Sequence, residues 1–191
     1  MAVPFEKVVN QLINAGVINK EDKELYTYGL EQGLLIVINI LTTMLIGIVL
    51  GMVWQSILFM IAYLPLRSFA GGYHAKTQSQ CYFLSIVLTS AVLLAIRFIS
   101  WTNLICLSVA LAAGIIIFVL APVAARNKPL DRIEVSVYKK RTRIILMAEI
   151  CILLSMFGLG FNQILPCISV SLLALSVMLI LGSIPNRIRL S

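Results

Sequence analysis

The sequence predicts an all-α, polytopic helical membrane protein, with about six membrane helices and an amphipathic helix at the N-terminus. Three observations carry this. Apolar residues make up 60% of the chain and charged residues only 12%, about half the charged share of an ordinary soluble domain. The mean hydropathy is +1.00. The apolar residues are spread along the whole length in blocks, each bounded by a short polar stretch. A soluble core could not take up that much apolar surface, whereas a bilayer accepts it on the outside of the fold. In hydrocarbon the backbone must satisfy its own hydrogen bonds, so the blocks read as helices of one domain over 1–191.

Residues 3–17 open the chain with Phe5, Val8, Val9, Leu12 and Ile13 on one helical face and Lys7, Asn10, Gln11 and Asn14 on the other. Such a helix lies in the membrane surface or packs on the cytoplasmic side, within an N-terminal region of about 1–28. Asn19 is a plausible N-cap, with Glu21 and Asp22 in the first turn of the next helix. That helix runs into a first apolar block at about 30–50, closed by Gly51. The second block, about 52–66, ends at Pro65 and is short for a span, so a tilted or re-entrant course is expected. Further blocks follow at about 81–99, 104–121, 144–161 and 164–184. Trp101, Thr102 and Asn103 form a tight turn, and 126–143 reads as a basic loop opened by Pro122 and broken by Pro129.

Six blocks put both termini on one side. Lys7, Lys20, Lys23, Arg67, Lys76, Arg126, Lys128, Arg132, Lys139, Lys140, Arg141, Arg143, Arg187 and Arg189 would then share a face, leaving only Arg97 of the 15 Lys and Arg near the other. By the positive-inside rule that face is cytoplasmic. The net charge of +7 therefore reads as topology and lipid-headgroup contact. The chain shows no aromatic-interleaved basic surface, so no nucleic-acid partner is expected. No apolar h-region followed by a cleavage site opens it.

Cys81, Cys106, Cys151 and Cys167 accompany a single histidine, in spacings that match no zinc pattern. No metal, cofactor or disulfide framework is expected.

The segment from Arg67 to Cys81 is where chemistry gathers. It holds the only histidine, His74, a cysteine seven residues later, and the pair Gly71-Gly72. Thr77 with Gln80 is a capping pattern that starts a helix at about Gln78. Cys81 would lie in the first turn, where N–H groups and the helix dipole favour a thiolate. A nearby histidine is the base such a nucleophile needs. A single helix over 74–81 would hold the two side chains roughly 10 Å apart along its axis, too far for a hydrogen bond, so the segment must turn back. Gly71 and Gly72 give that freedom, and their N–H groups are oxyanion-hole candidates. Taken singly, a loop histidine is ordinarily a solvated residue and a cysteine at a helix start a small apolar filler. Only Cys81 of the four cysteines shares a loop and a membrane face with His74.

Gly-Gly-Tyr-His-Ala before Cys81, with Arg67 upstream and Ala121-Pro122-Val123-Ala124 and Lys128-Pro129-Leu130 later, resembles the accessory gene regulator B family of bacterial quorum-sensing peptidases. The resemblance covers essentially the whole chain. It implies a membrane cysteine endopeptidase that removes the C-terminal part of a small amphipathic precursor peptide. Cys81 would form the acyl-enzyme thioester and His74 would act as base and acid. Arg67 and Gly72 match motif positions that shape the site. The peptide's own nucleophile would then close a thiolactone or lactone ring. The resemblance also implies a homodimer in the bacterial cell membrane.

Glu149 lies within the fifth block, where a charge must face the interior or water. Its plainer role is a pair with Arg67 or a loop arginine; its functional role is contact with a basic part of the peptide. Lys139 and Lys140 are candidates for acidic peptide residues as well as headgroup anchors. The competing readings are a small transporter, for which no matching broken-helix halves appear, and a peptide-binding membrane scaffold without chemistry. Substitution of Cys81 separates them from the peptidase.

Overall fold

The computed structural model describes residues 3–73, 77–124 and 131–187. Among them the secondary structure is helical, with a lone parallel bridge between Gly71 and Val123. The helices are α1 (Val3–Asn14), α2 (Lys23–Val49), α3 (Val53–Ala70), α4 (Gln78–Phe98), α5 (Asn103–Leu120), α6 (Arg132–Gly158) and α7 (Leu165–Arg187). Residues 1–42 and 43–191 form separate compact units.

In the first unit α1 buries Val9 and half-buries Phe5, Leu12 and Ile13, while Lys7, Asn10 and Gln11 are exposed. Val8, expected on the buried face, is exposed. Asn19 sits before a short 3₁₀ turn, Lys20–Asp22, and its side chain makes no capping bond. The one ion pair among the described residues joins Lys23 to Glu6 at 3.9 Å. Both partners are exposed, so it contributes little.

The second unit is organised around α7. About 67% of its apolar window is buried, against 17–33% for α3, α4 and α5. It packs on α3, α4, α5 and α6. Small residues make the approach close. Cys106, Ala110, Ala113, Gly114 and Ile117 form one buried stripe on α5, and Ser169, Ser171, Ala174 and Ser176 lie buried on α7. The Ser169 hydroxyl donates across to the Cys106 carbonyl at 3.0 Å, whereas Ser171 and Ser176 donate to carbonyls of their own helix. Gly114 admits Ile150 of α6; a methyl there would sit 3.4 Å from its Cδ1.

Five stretches are long and apolar enough to cross a membrane: 20–49, 53–70, 79–98, 103–120 and 165–184. The polytopic all-α reading stands. Two boundaries differ from expectation. The helix of the second block continues through Pro65 to Ala70, which makes it long enough to span. Residues 132–143, expected as loop, are the first half of α6. Asp131 caps that helix, with Glu134 reaching back to the Asp131 N–H at 3.0 Å. α6 is absent from the candidate spans because its basic half leaves only Ile144–Gly158 apolar.

Candidate active site

The site begins where α3 ends. Gly71 caps the helix with φ +72°, and Gly72 follows at φ +122°, both in the region that favours glycine. A side chain on Gly71 would collide with the Val123 carbonyl, and one on Gly72 with the Arg67 guanidinium. The backbone of residues 71–73 lies between two neighbours. The Gly72 N–H donates to the Val123 carbonyl at 3.2 Å, and the Val123 N–H donates to the Ala70 carbonyl at 2.9 Å. The Tyr73 N–H donates to the Met178 carbonyl on α7 at 2.8 Å.

Arg67, in the last turn of α3, closes this arrangement. Its guanidinium donates to the Gly71 carbonyl and, at 2.6 Å, to the Tyr73 carbonyl. Such charge-assisted bonds are worth about 1.5–3 kcal/mol each. The planar fork spans two carbonyls that a point charge could not hold together. The expected pairing of Arg67 with Glu149 is not formed. The N–H groups of Gly71 and Gly72 are also occupied, by the Arg67 and Val123 carbonyls. These glycines shape the turn and do not offer free donors for an oxyanion.

On the far side of residues 74–76, α4 starts at Gln78, as its capping pattern predicts. The Thr77 hydroxyl accepts from the Gln80 N–H at 3.3 Å, and the Cys81 N–H donates to the Thr77 carbonyl at 3.1 Å. Cys81 thus lies in the first turn, half-buried, while Cys106 and Cys167 are buried in the core and Cys151 is exposed on α6. Thr77, which precedes the helix, is extended at φ −124° and ψ 152°. His74 and Lys76 lie outside the described residues.

Other groups complete the surroundings. Tyr63, one turn before Arg67 on α3, is within electrostatic reach of both Arg67 and Cys81. Its ring stacks on Phe59 at 5.1 Å, and among the described residues its hydroxyl makes no hydrogen bond. The basic half of α6 is pinned to the end of α3: Tyr138 meets Phe69 edge-on at 6.0 Å, and Arg141 lies over the same ring at 5.1 Å. Lys139 and Lys140 on this half are exposed. Arg143 turns to Phe118, 4.0 Å from its centroid. Glu149 is buried, and one carboxylate oxygen has no partner among the described residues.

The sequence matches the family model Accessory gene regulator B, AgrB, over residues 5–180. The chain belongs to the AgrB family. It is therefore a membrane protein of accessory gene regulator quorum sensing. An AgrB-like protein of Clostridium perfringens strain SM101 is 23% identical over 177 residues, covering 84% of this chain and 81% of that relative. A second, AgrB-like protein 2 of strain 13 of the same species, is 26% identical over 122 residues, covering 59% and 56%. No solved structure matches.

Sequence reasoning named Val123 only within a family motif and missed Tyr63, Met178 and Gly182. Gly182 alone carried a signal, as an isolated glycine inside an apolar helical run.

Proposed function

We propose that this AgrB-family chain is a membrane-embedded cysteine endopeptidase that processes a small amphipathic precursor peptide, with Cys81 as nucleophile and His74 as general base and acid. The observation that carries the reading is the placement of Cys81 in the first turn of α4, just after a turn fixed by Arg67.

In the proposed reaction the Cys81 sulfur attacks the scissile carbonyl while its proton passes to the His74 imidazole. The C–N bond breaks, and the imidazolium returns the proton to the departing amine. The N-terminal part of the peptide stays on Cys81 as a thioester. A side chain within that peptide, a thiol or hydroxyl, then attacks the same carbonyl. The C–S bond to Cys81 breaks, the proton moves to the sulfur, and a cyclic thiolactone or lactone leaves. Exchange of one thioester for another changes the energy little, so keeping water out matters most, and a site at the membrane suits that. Tyr63, within electrostatic reach of Cys81, is a candidate to steady charge developing there, and Lys139, Lys140 and Glu149 are substrate-contact candidates. The enzyme works as a homodimer in the cell membrane, with its termini and the 67–81 segment on the cytoplasmic side.

The test is co-expression with the small peptide encoded beside the chain, read by mass spectrometry of that peptide. Wild type should cut it and carry a trapped peptide adduct on Cys81. Cys81→Ala and His74→Ala should accumulate normally and leave it intact. Cleavage by Cys81→Ala would remove the peptidase reading and favour a scaffold.

A further inference from the structure

We propose that Gly182, near the C-terminal end of α7, is a positioning residue of the peptidase: it is the seat on which the Gly72–Tyr73 backbone rests, and so it fixes the point from which the chain enters His74. This rests on the peptidase reading above and adds to it an element distant in sequence from the motif.

The argument is steric first. A methyl group on Gly182 would sit 2.6 Å from the Gly72 carbonyl carbon and 2.6 Å from the Tyr73 nitrogen. These are backbone atoms, with no flexible tip to swing away. The same backbone is tied to three neighbours. The Tyr73 N–H is tied to the Met178 carbonyl, one turn before Gly182 on α7. The Gly72 N–H is tied to Val123, and Arg67 holds the carbonyls of Gly71 and Tyr73. Gly72 itself has no room to retreat, because a Cβ there would meet Arg67 and, at 3.1 Å, the Met178 carbonyl oxygen. The turn is therefore clamped between Arg67 and α7. A side chain at 182 must push Tyr73 off Met178 or shift α7.

Either movement disturbs the hold of α7 on Tyr73, the last described residue before the loop that carries His74. α7 is the hub of its unit, so the shift would fall on the loop rather than on the helix. A misplacement of about 1 Å in reacting groups can cost a hundredfold in rate.

The experiment compares wild type, Gly182→Ala and Gly47→Ala on the small peptide encoded beside the chain, per amount of monodisperse enzyme in detergent. Gly47 is the control, since a methyl there also collides, with the Ser56 side chain, well away from the loop. Gly182→Ala should cut at least tenfold more slowly and move the pH profile of cleavage, because the His74–Cys81 relation changes. Gly47→Ala should lose stability but keep the wild-type pH profile. Wild-type rate and profile in Gly182→Ala would overturn the inference and leave the peptidase standing. Absence of cleavage by wild type would overturn both. Should Gly182→Ala not fold, amide exchange in wild type decides. Protection of the Tyr73 amide comparable to the core of α7 supports the seat, and free exchange overturns it.

Discussion

At the scale of single residues, Arg67 shows how much a side chain's shape can matter beyond its charge. Its two acceptors are carbonyls of a turn that two positive-φ glycines make possible. Lysine would keep the charge and lose the fork. Arg67→Lys should therefore accumulate like wild type yet cut the precursor peptide at least tenfold more slowly, measured as product per enzyme by mass spectrometry. Wild-type cleavage by this variant would show that charge alone suffices. Tyr63→Phe removes only a hydroxyl from a ring that stays stacked on Phe59. In the peptidase reading it should lower turnover several-fold and leave thermal stability unchanged. The order of legibility at this scale is instructive. Thr77, Gln80 and Cys81 could be read directly, because a cap is written within four residues. Tyr63, Met178 and Gly182 could not, because what brings them to the loop is packing between helices far apart in sequence.

At the scale of elements, two boundaries differ from the sequence expectation for physical reasons. Pro65 normally ends or kinks a helix by removing a donor and crowding the preceding turn. Here α3 continues past it because its last turn has other holds: Leu66 and Ala70 are buried, and Arg67 and Phe69 each make specific contacts. The basic stretch 132–143 reads as loop on its charge alone. Asp131 and Glu134 announce the helix start, and the aromatic contacts of Arg141 and Arg143 give the cations a place on a helix. The pairing of α5 with α7 yields a prediction of its own. Ser169 bridges the two helices, while Ser171 bonds within its own. An interhelical hydrogen bond in a membrane protein is worth roughly 0.6–2 kcal/mol. Ser169→Ala should lower unfolding free energy in detergent by about that amount and Ser171→Ala by clearly less. Equal effects would mean that the bridge adds nothing beyond packing.

At the scale of the whole molecule, the question is how the chain threads the bilayer, and α6 decides it. Five stretches qualify as spans on length and composition. With α6 crossing as well, the N- and C-termini share a side; without it they are opposed. The charges favour the crossing. Arg187 ends α7 and Arg189 follows it in sequence, and the basic half of α6 precedes its apolar half. Both sets lie on the cytoplasmic side only if Ile144–Gly158 traverses the membrane between them. Those residues give a helix of roughly 22 Å, short of the ~30 Å hydrocarbon core. The deficit is eased by the apolar turn that follows, where Leu159 and Phe161 are exposed. A thinned bilayer accommodates the remainder. The single acidic group on this stretch, Glu149, faces inward and is buried, as a crossing helix requires. Glu149→Gln removes a buried carboxylate without changing shape, so it should leave stability equal or raised, which a thermal melt in detergent would read. Reporter fusions at residues 1 and 191 should both report the cytoplasm, and one after Phe161 the outside. A C-terminal fusion reporting the outside would show that α6 stays on the cytoplasmic face, and would put the Arg187 and Arg189 tail across the membrane against the charge rule.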